Sequence, residues 1–406
     1  MREIKGGVTS PKGYEAAAVA ANIKYKDRTD MALIISTTPA VVAGTFTTNV
    51  VKAAPVKWDM KIVQAKEKAG AIVVNSGIAN ACTGTEGDGY CQVVAEKAQA
   101  VLGISEAVLL GSTGVIGMQL PVEKMLSGVE ALAKAKTGDV AAGTAAAKAI
   151  MTTDTKEKEL AVAFTIGDKE VTVGGMAKGS GMIHPNMCTM LSFITTDALI
   201  SQEVLQQVLS EDVSDTYNMI SVDGDTSTND TVLVLANGLA ENEEILPGTK
   251  AYDDFKTALH QVNEYLAKAI AGDGEGATAL FEVTVKGAKT KKQAQVIAKS
   301  VVCSDLTKTA IAGHDANWGR VLCAMGYAGE EFDPEVVDLF FESAAGTVQI
   351  MASGVATDYS EELATQILSE EYVKAIADLK QGQETGTAWG CDLTHGYIDI
   401  NADYRS

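Results

Sequence analysis

Short apolar runs alternate with longer amphipathic stretches along most of the chain. "MALIIS" (31–36), "AIVVN" (71–75), "LAVAFTIG" (160–167), "TVLVLAN" (231–237) and "LFEVTVKG" (280–287) are short and rich in β-branched residues, which predicts buried strands. Apolar residues at helical spacing predict helices over 90–103, 121–135, 144–151, 201–221, 253–272 and 291–306. Pro121 and the Ser or Asp residues ahead of these stretches are suitable helix starts. Segments 160–167 and 169–174 meet at Gly167-Asp168, a hairpin turn signal that predicts antiparallel pairing. The expected class is therefore α+β with mixed sheets, not a doubly wound parallel sheet. The Gly-rich "AGDGEGATA" (271–279) precedes a new strand–helix unit and predicts a boundary near 280–290. No internal repeat is visible.

Composition narrows the partners. The chain of 406 residues is long enough for one large domain or two to three ordinary ones, with the 46% hydrophobic content of a globular protein. A net charge of -20 argues against nucleic-acid backbones and anionic membranes. No apolar stretch has signal-peptide character or reaches the ~18 residues of a membrane span, so a cytoplasmic protein is expected. Cysteines at 82, 91, 188, 303, 323 and 391 form no CxxC pair, which predicts reduced, mostly buried thiols. His184, His260, His314 and His395 are not spaced as helical metal ligands, and no metal site is expected.

Several Gly-rich segments imitate binding motifs. In "GGMAKGSG" (174–181), Lys178 precedes Gly179, the reverse of a phosphate loop. "GDGEGA" (272–277) follows a helix and enters a strand, whereas a dinucleotide site needs strand first. "DGDTSTND" (223–230) begins like a calcium loop but carries Val234 where the bidentate Glu belongs, so a polar turn between helix and strand is expected. "STGVIG" (112–117) follows an apolar run and precedes Pro121. A Thr beside a Gly in such a turn can aim a hydroxyl and backbone N–H groups at one spot, as an oxyanion hole does; a turn with no chemical role is the plain alternative.

The segment "KGSGMIHPNMCTML" (178–191) ends a flexible, turn-rich approach at Cys188 and Thr189, at the mouth of a buried strand. An internal threonine has no base of its own. If the preceding bond is cut, the new α-amine of Thr189 lies beside its hydroxyl and can serve as that base. The plain alternative is a threonine that merely opens a strand, for which it has good propensity.

"KGSGMIHPNMCTMLSFITTDA" closely resembles the cleavage-site signature of the ornithine acetyltransferases, enzymes of cyclic arginine biosynthesis. "PAVVAGTFTTNVVKAAPV" (39–56), "NSGIANACTG" (75–84), "STGVIG" (112–117), "MTTDT" (151–155), "DGDTSTND" (223–230), "GDGEGAT" (272–278), "KTAIAGHDANWGRVLCAMGY" (308–327) and "DLTHGYIDINADYRS" (392–406) extend the resemblance over essentially the whole chain. The resemblance implies layered α/β/β/α-type sandwich units and self-cleavage between Cys188 and Thr189 into chains 1–188 and 189–406. It implies a main domain over 1–280 and a smaller α/β domain over 281–406, whose C-terminus returns to the active site. The cut chains would assemble as an α2β2 heterotetramer.

The implied reaction moves acetyl from N-acetylornithine to glutamate through an acetyl-Thr189 intermediate. No tightly bound cofactor or metal takes part, and acetyl-CoA is a second donor in some members. Thr113 and Gly114 would hold the oxyanion. Thr155, Lys178, Thr189, Glu275, Asn401 and Ser406 would contact substrate. These residue types suit amino-acid substrates, because Lys178 can bind an α-carboxylate and Glu275 can pair with an ammonium or assist proton transfer.

Three positions depart from the family pattern: Cys188 for the usual Ala, Ile78 for Asn, and Ala279 for Lys. A self-cleaving amidohydrolase or aminopeptidase, and an uncut binding protein, are the alternatives. The first would not need glutamate for turnover; the second would remain one chain.

Overall fold

The structure, a computed structural model, describes residues 1–184 and 190–403. Cys188, Thr189 and Ser406 lie outside the described residues. The chain forms two compact units. The first comprises Met1–Gly179, Pro185–Asn218 and Thr226–Leu266; the second comprises Ser180–His184, Met219–Asp225 and Ala267–Ser406.

The first unit contains strands β1 (Arg2–Ile4), β2 (Tyr14–Val19), β3 (Met31–Phe46), β4 (Ala69–Asn75), β5 (Ala107–Ser112), β6 (Lys158–Ile166), β7 (Lys169–Lys178) and β8 (Leu191–Thr196). After β9 (Ile220–Ser221), which belongs to the second unit, β10 (Thr231–Ala236) completes the set. They form one mixed sheet in the order β1-β6-β7-β8-β10-β3-β4-β5, with β2 also on β3. The expected hairpin is present: β6 and β7 pair antiparallel, closing at Ile166–Lys169 around Gly167 with φ +61°.

β3 makes this sheet a sandwich. Its ladder to β4 breaks between Ile35 and Ala40, where Pro39 lacks an N–H to donate. Residues before the break pair with β2 and β4, while Val41–Phe46 pair with β10. Ile34, Ile72, Val74 and Leu109 on one half then face Leu191, Phe193, Leu233 and Leu235 on the other, all buried in one core. The intervening layer is tight: a Cβ on Gly111 of β5 would stand 2.9 Å from Phe193 Cζ.

The alternate residues of β3, β4 and β5, including Leu33, Val73 and Leu110, pack under helices α2 (Gly84–Leu102) and α3 (Val122–Ala135). Helix α1 (Ala54–Gln64) lies against β5 and β3, and α4 (Val140–Ala149) adds Ala146, Ala147 and Ala149 to the inner core. On the far side, α5 (Gln202–Asp215) lies against β3, and Val262 and Leu266 of α6 (Lys250–Gly272) press on Gly175 of β7. The expected α/β/β/α layering is thus present in this unit.

The second unit carries a mixed sheet in the order β14-β13-β12-β15-β11-β16-β9. Its later strands are β11 (Leu280–Ala288), β12 (Asp338–Ser343), β13 (Gly346–Ala352), β14 (Val355–Ala356), β15 (Tyr372–Asp378) and β16 (Glu384–Cys391). Helix α7 (Lys291–Val302) covers β11 and β16 through Ala294, Ile297, Ala298 and Val301, with α8 (Asp305–Ala312) and α9 (Trp318–Gly326) beyond it. Helix α10 (Glu361–Leu368) covers β12 and β13, and α11 (His395–Ala402) is the last.

Four sequence expectations need correction. The helix expected over 201–221 ends at Asp215, where Thr216 turns its hydroxyl back to the Asp212 carbonyl and the chain passes through a 3-10 turn into β9. The helix expected over 291–306 is two: Ser304 accepts from the Thr307 N–H and starts α8 afresh. "DGDTSTND" therefore lies between two strands, not after a helix. The described cysteines are free, but Cys82 and Cys323 are exposed while only Cys91 and Cys391 are buried. No helix among the described residues is long and apolar enough to cross a membrane.

Candidate active site

In the first unit, β5 ends at Ser112 and runs into Thr113 and Gly114. The Thr113 N–H donates to Asn75 O at 3.0 Å, and the Val115 N–H donates to Gly77 O at 3.1 Å. Between these two satisfied amides, the Gly114 N–H has no acceptor among the described residues. Gly114 has φ +127°, and a Cβ there would stand 2.3 Å from Gly77 C, so only glycine fits. The turn rests on buried Asn75, whose Nδ2 donates to Ile78 O at 2.9 Å and whose Oδ1 accepts from Ser112 Oγ at 2.7 Å. A half-buried, unpaired N–H beside a hydroxyl is the donor pair an oxyanion needs.

Lys178, the last residue of β7, reaches the same turn. Its Nζ lies 3.4 Å from Thr113 Oγ1 and 4.0 Å from Asp154 Oδ2. An ammonium can only donate, so the Thr113 oxygen accepts from Lys178 and keeps its own proton to give elsewhere. Asp154 is buried and also accepts from Lys158 Nζ at 2.7 Å, Gly179 N–H at 2.7 Å and Thr152 N–H at 3.0 Å. Burial alone would raise its pKa, but the ammonium groups of Lys178 and Lys158 and these hydrogen bonds hold the carboxylate well below the usual range. Asp154 is therefore an anion that fixes Lys178 and the entrance of the Gly-rich segment. Thr155, the next residue, is exposed.

The second unit holds its own cluster. Glu275 is buried in the loop after α6, where its N–H donates to Ser180 O at 3.0 Å. Gly181 leaves room for the Glu275 carboxylate: a Cβ at 181 would lie 2.3 Å from Glu275 Oε2. Asn401 of α11 donates from Nδ2 to Glu275 Oε2 at 2.6 Å. Gly276, with φ +71°, lets α11 approach, and Thr394 Oγ1 donates to Gly276 O at 2.6 Å. Thus Glu275 and Asn401, far apart in sequence, touch directly.

The structure brings Thr113, Gly114 and Lys178 together in one unit and Glu275 with Asn401 in the other. Cys188, Thr189 and Ser406 are outside the described residues. Of the departures, Ile78 is buried and bridges to Thr113 and Val115, so an apolar side chain serves as packing there. Ala279 is buried beside Asp392, which accepts its N–H at 3.1 Å. Asn75, Asp154 and Lys158 were not singled out from sequence. The density of polar residues in "MTTDTKEK" (151–158), ahead of a buried strand, is the sequence signal that could have pointed to the last two.

The family model described as "ArgJ family" matches residues 15–406. "Arginine biosynthesis bifunctional protein ArgJ" of Thermotoga neapolitana is 53% identical over 399 residues, covering 98% of this chain and 99% of its own. The protein of the same name from Caldanaerobacter subterraneus subsp. tengcongensis is 50% identical over 409 residues, with both chains covered completely. A crystal structure of the Bacillus halodurans protein of that name matches with TM-score 0.51 and 50% identity, over 53% of this chain and 99% of that one. With matches over essentially its full length, the chain belongs to the ArgJ family of acyltransferases of arginine biosynthesis.

Proposed function

We propose that this chain cuts itself between Cys188 and Thr189 and then transfers acetyl from N-acetylornithine to glutamate through an ester on Thr189. The Thr189 hydroxyl attacks the acetamide carbonyl while its freed α-amine takes the proton. The oxygen that becomes negative is held by the Thr113 hydroxyl and the Gly114 N–H. The C–N bond then breaks, the proton passes to the leaving amine, and ornithine departs. The amine of glutamate attacks the acetyl ester in the same way, giving N-acetylglutamate and restoring the Thr189 hydroxyl. Splitting the reaction replaces direct aminolysis of a stable amide with two easier steps.

Lys178, Thr155, Glu275, Asn401 and Ser406 recognise the amino-acid substrates. Lys178 suits a carboxylate and Glu275 an ammonium. The word "bifunctional" in the relatives' name favours acetyl-CoA as a second donor, without a tightly bound cofactor. The cut chains stay together in an α2β2 assembly whose partners are small molecules, not nucleic acid or membrane, and which acts in the cytoplasm.

The observation that carries the reading is the Gly114 N–H, without an acceptor among the described residues and beside the Thr113 hydroxyl at a position only glycine can occupy. Denaturing mass spectrometry of wild type and Thr189→Ala tests it. Fragments meeting at 188/189 in the wild type, one chain in the variant and acetyl on residue 189 after donor alone are expected. An intact wild-type chain that still transfers acetyl would refute the reading.

A further inference from the structure

Asn229 lies in "DGDTSTND", in the residues leading into β10, and it is buried. Both protons of its Nδ2 are used. One goes to Ser112 O at 2.8 Å and the other to Ala79 O at 2.6 Å. Its Oδ1 accepts from Thr228 Oγ1 at 2.7 Å, which fixes which end of the amide is nitrogen.

Ser112 O and the Thr113 N–H belong to one planar peptide group. Asn229 holds that plane by its oxygen, and Asn75 O holds it by its N–H at 3.0 Å. The plane after Gly114 is held in turn by the Val115 N–H on Gly77 O. The Gly114 N–H therefore projects from the single plane left between two pinned ones. Ala79 O, the second acceptor, belongs to the neighbouring 75–81 segment, so one side chain staples the two segments that bracket Gly114.

The same short stretch reaches the other side of the chemistry. The Thr231 N–H donates to Met190 O at 2.9 Å, and Met190 directly follows Thr189 in the chain. From Thr231 onward, β10 runs parallel to β8 in register from Leu191. Residues 229–231 thus act as a spacer, bonded at one end to the donor turn and at the other to the residue after the nucleophile. A shift of about 1 Å in such a spacing costs an enzyme about 100-fold in rate.

We propose that Asn229 is a positioning residue that sets the oxyanion donors of Thr113 and Gly114 relative to Met190 and β8, which follow Thr189 in the chain. The proposal rests on the reading of those two residues as the oxyanion hole. Asn229 touches neither substrate nor the reacting atoms; it acts through the Ser112–Thr113 peptide. Its contribution is made in the transition state, so its loss should lower kcat and spare KM.

The test compares Asn229→Asp, Thr113→Ala and the double variant for acetyl transfer from N-acetylornithine to glutamate, with active sites titrated by the acetyl burst. Aspartate keeps the shape but cannot donate to two carbonyls. The expected result is a kcat lowered about 10- to 100-fold with KM nearly unchanged, and a double variant little worse than Thr113→Ala. A residue that only stabilised the fold would lower the melting temperature and leave kcat per active site unchanged, which would overturn the proposal. So would additive losses in the double variant. Wild-type kcat in Asn229→Asp beside a slow Thr113→Ala would overturn the Asn229 role and leave the oxyanion reading standing. Wild-type kcat in both would refute the oxyanion reading itself, and this proposal with it. If Asn229→Asp does not fold, Thr228→Val, which removes only the hydroxyl orienting the amide, decides. A several-fold kcat loss at constant KM supports the role, and no change overturns it.

Discussion

Lys178 Nζ, at the end of β7, lies 3.4 Å from Thr113 Oγ1, at the end of β5. The side chain expected from sequence to bind a carboxylate thus also sits behind the hydroxyl proposed as an oxyanion donor. A cation polarising that hydroxyl strengthens the bond it gives to a developing negative charge. Lys178→Met is expected to lower kcat by about 10- to 100-fold, the range of one charged hydrogen bond, as well as raising KM for the amino-acid substrates. Steady-state kinetics separate the effects: a change in KM alone would remove Lys178 from the oxyanion site.

Gly114→Ala should be the most damaging single change in the turn. The alanine Cβ would overlap the Gly77 backbone, and φ +127° is closed to other residues. A loss of about 1–3 kcal/mol in stability and near-complete loss of transfer are expected. Thermal unfolding and single-turnover acetylation measure the two. An alanine variant with wild-type turnover would mean that the backbone geometry only glycine allows at 114 is not needed for the reaction.

His184 supplies an acid limb to stability. Its Nδ1 lies 3.1 Å from Ser221 Oγ and 3.5 Å from Cys303 Sγ, and burial, aided by the Lys299 charge, pushes its pKa down from 6.5 to about 4. The folded state binds this proton more weakly than the unfolded state. The resulting stability is fully present above about pH 6.5 and is lost as pH falls towards 4. His184→Gln is expected to flatten this part of the profile in denaturant titrations between pH 7 and 4. An unchanged slope would place the acid sensitivity elsewhere.

Asp59 has the opposite sign. It is fully buried on α1; Oδ1 accepts from the Leu110 N–H at 2.9 Å, while Oδ2 has no partner among the described residues. Burial pushes its pKa well up, against only that one hydrogen bond. Stability is therefore present at low pH and lost as pH rises through the raised value. Asp59→Asn keeps an acceptor for Leu110 without the ionisation. It should gain on wild type by up to ~1.4 kcal/mol per pH unit as pH rises from the unfolded carboxyl's 3.8 towards the raised folded value, and hold that gain above it. Melting temperatures compared from pH 4 to neutral pH measure this, and a gap that narrows as pH rises would contradict it.

The buried strands of the first unit were legible because continuous apolar runs leave little choice. β4 and β10 are covered on both faces, and their sequences are apolar apart from Asn75 and Thr231 at their ends. The later second-unit strands were not singled out. β12 and β15 alternate buried and half-exposed residues, and "DLFFES" or "YVKAIAD" reads weakly without knowing its partner. Thr113 and Gly114 were legible as a Thr beside a Gly in a turn after an apolar run, Lys178 through motif resemblance, and their mutual geometry came only with the fold. Asp154, Lys158, Asn75 and Asn229 look like ordinary turn or surface residues in sequence. Each is buried by partners distant along the chain or by its place in the sandwich, and no local pattern encodes that.

The composition of the units bears on what a break at 188/189 would leave. β7 and β8 lie on opposite sides of that bond yet form one ladder, as do β3 and β10. The second unit likewise takes Ser180–His184 from before the break; the Ile183 carbonyl accepts from the Val222 N–H at 2.7 Å, and Ser180 O accepts from Glu275 N–H. Neither fragment contains a whole unit. The products would be mutual templates, each the missing interior of the other, and the two halves made as separate chains should recover activity only when they fold in each other's presence.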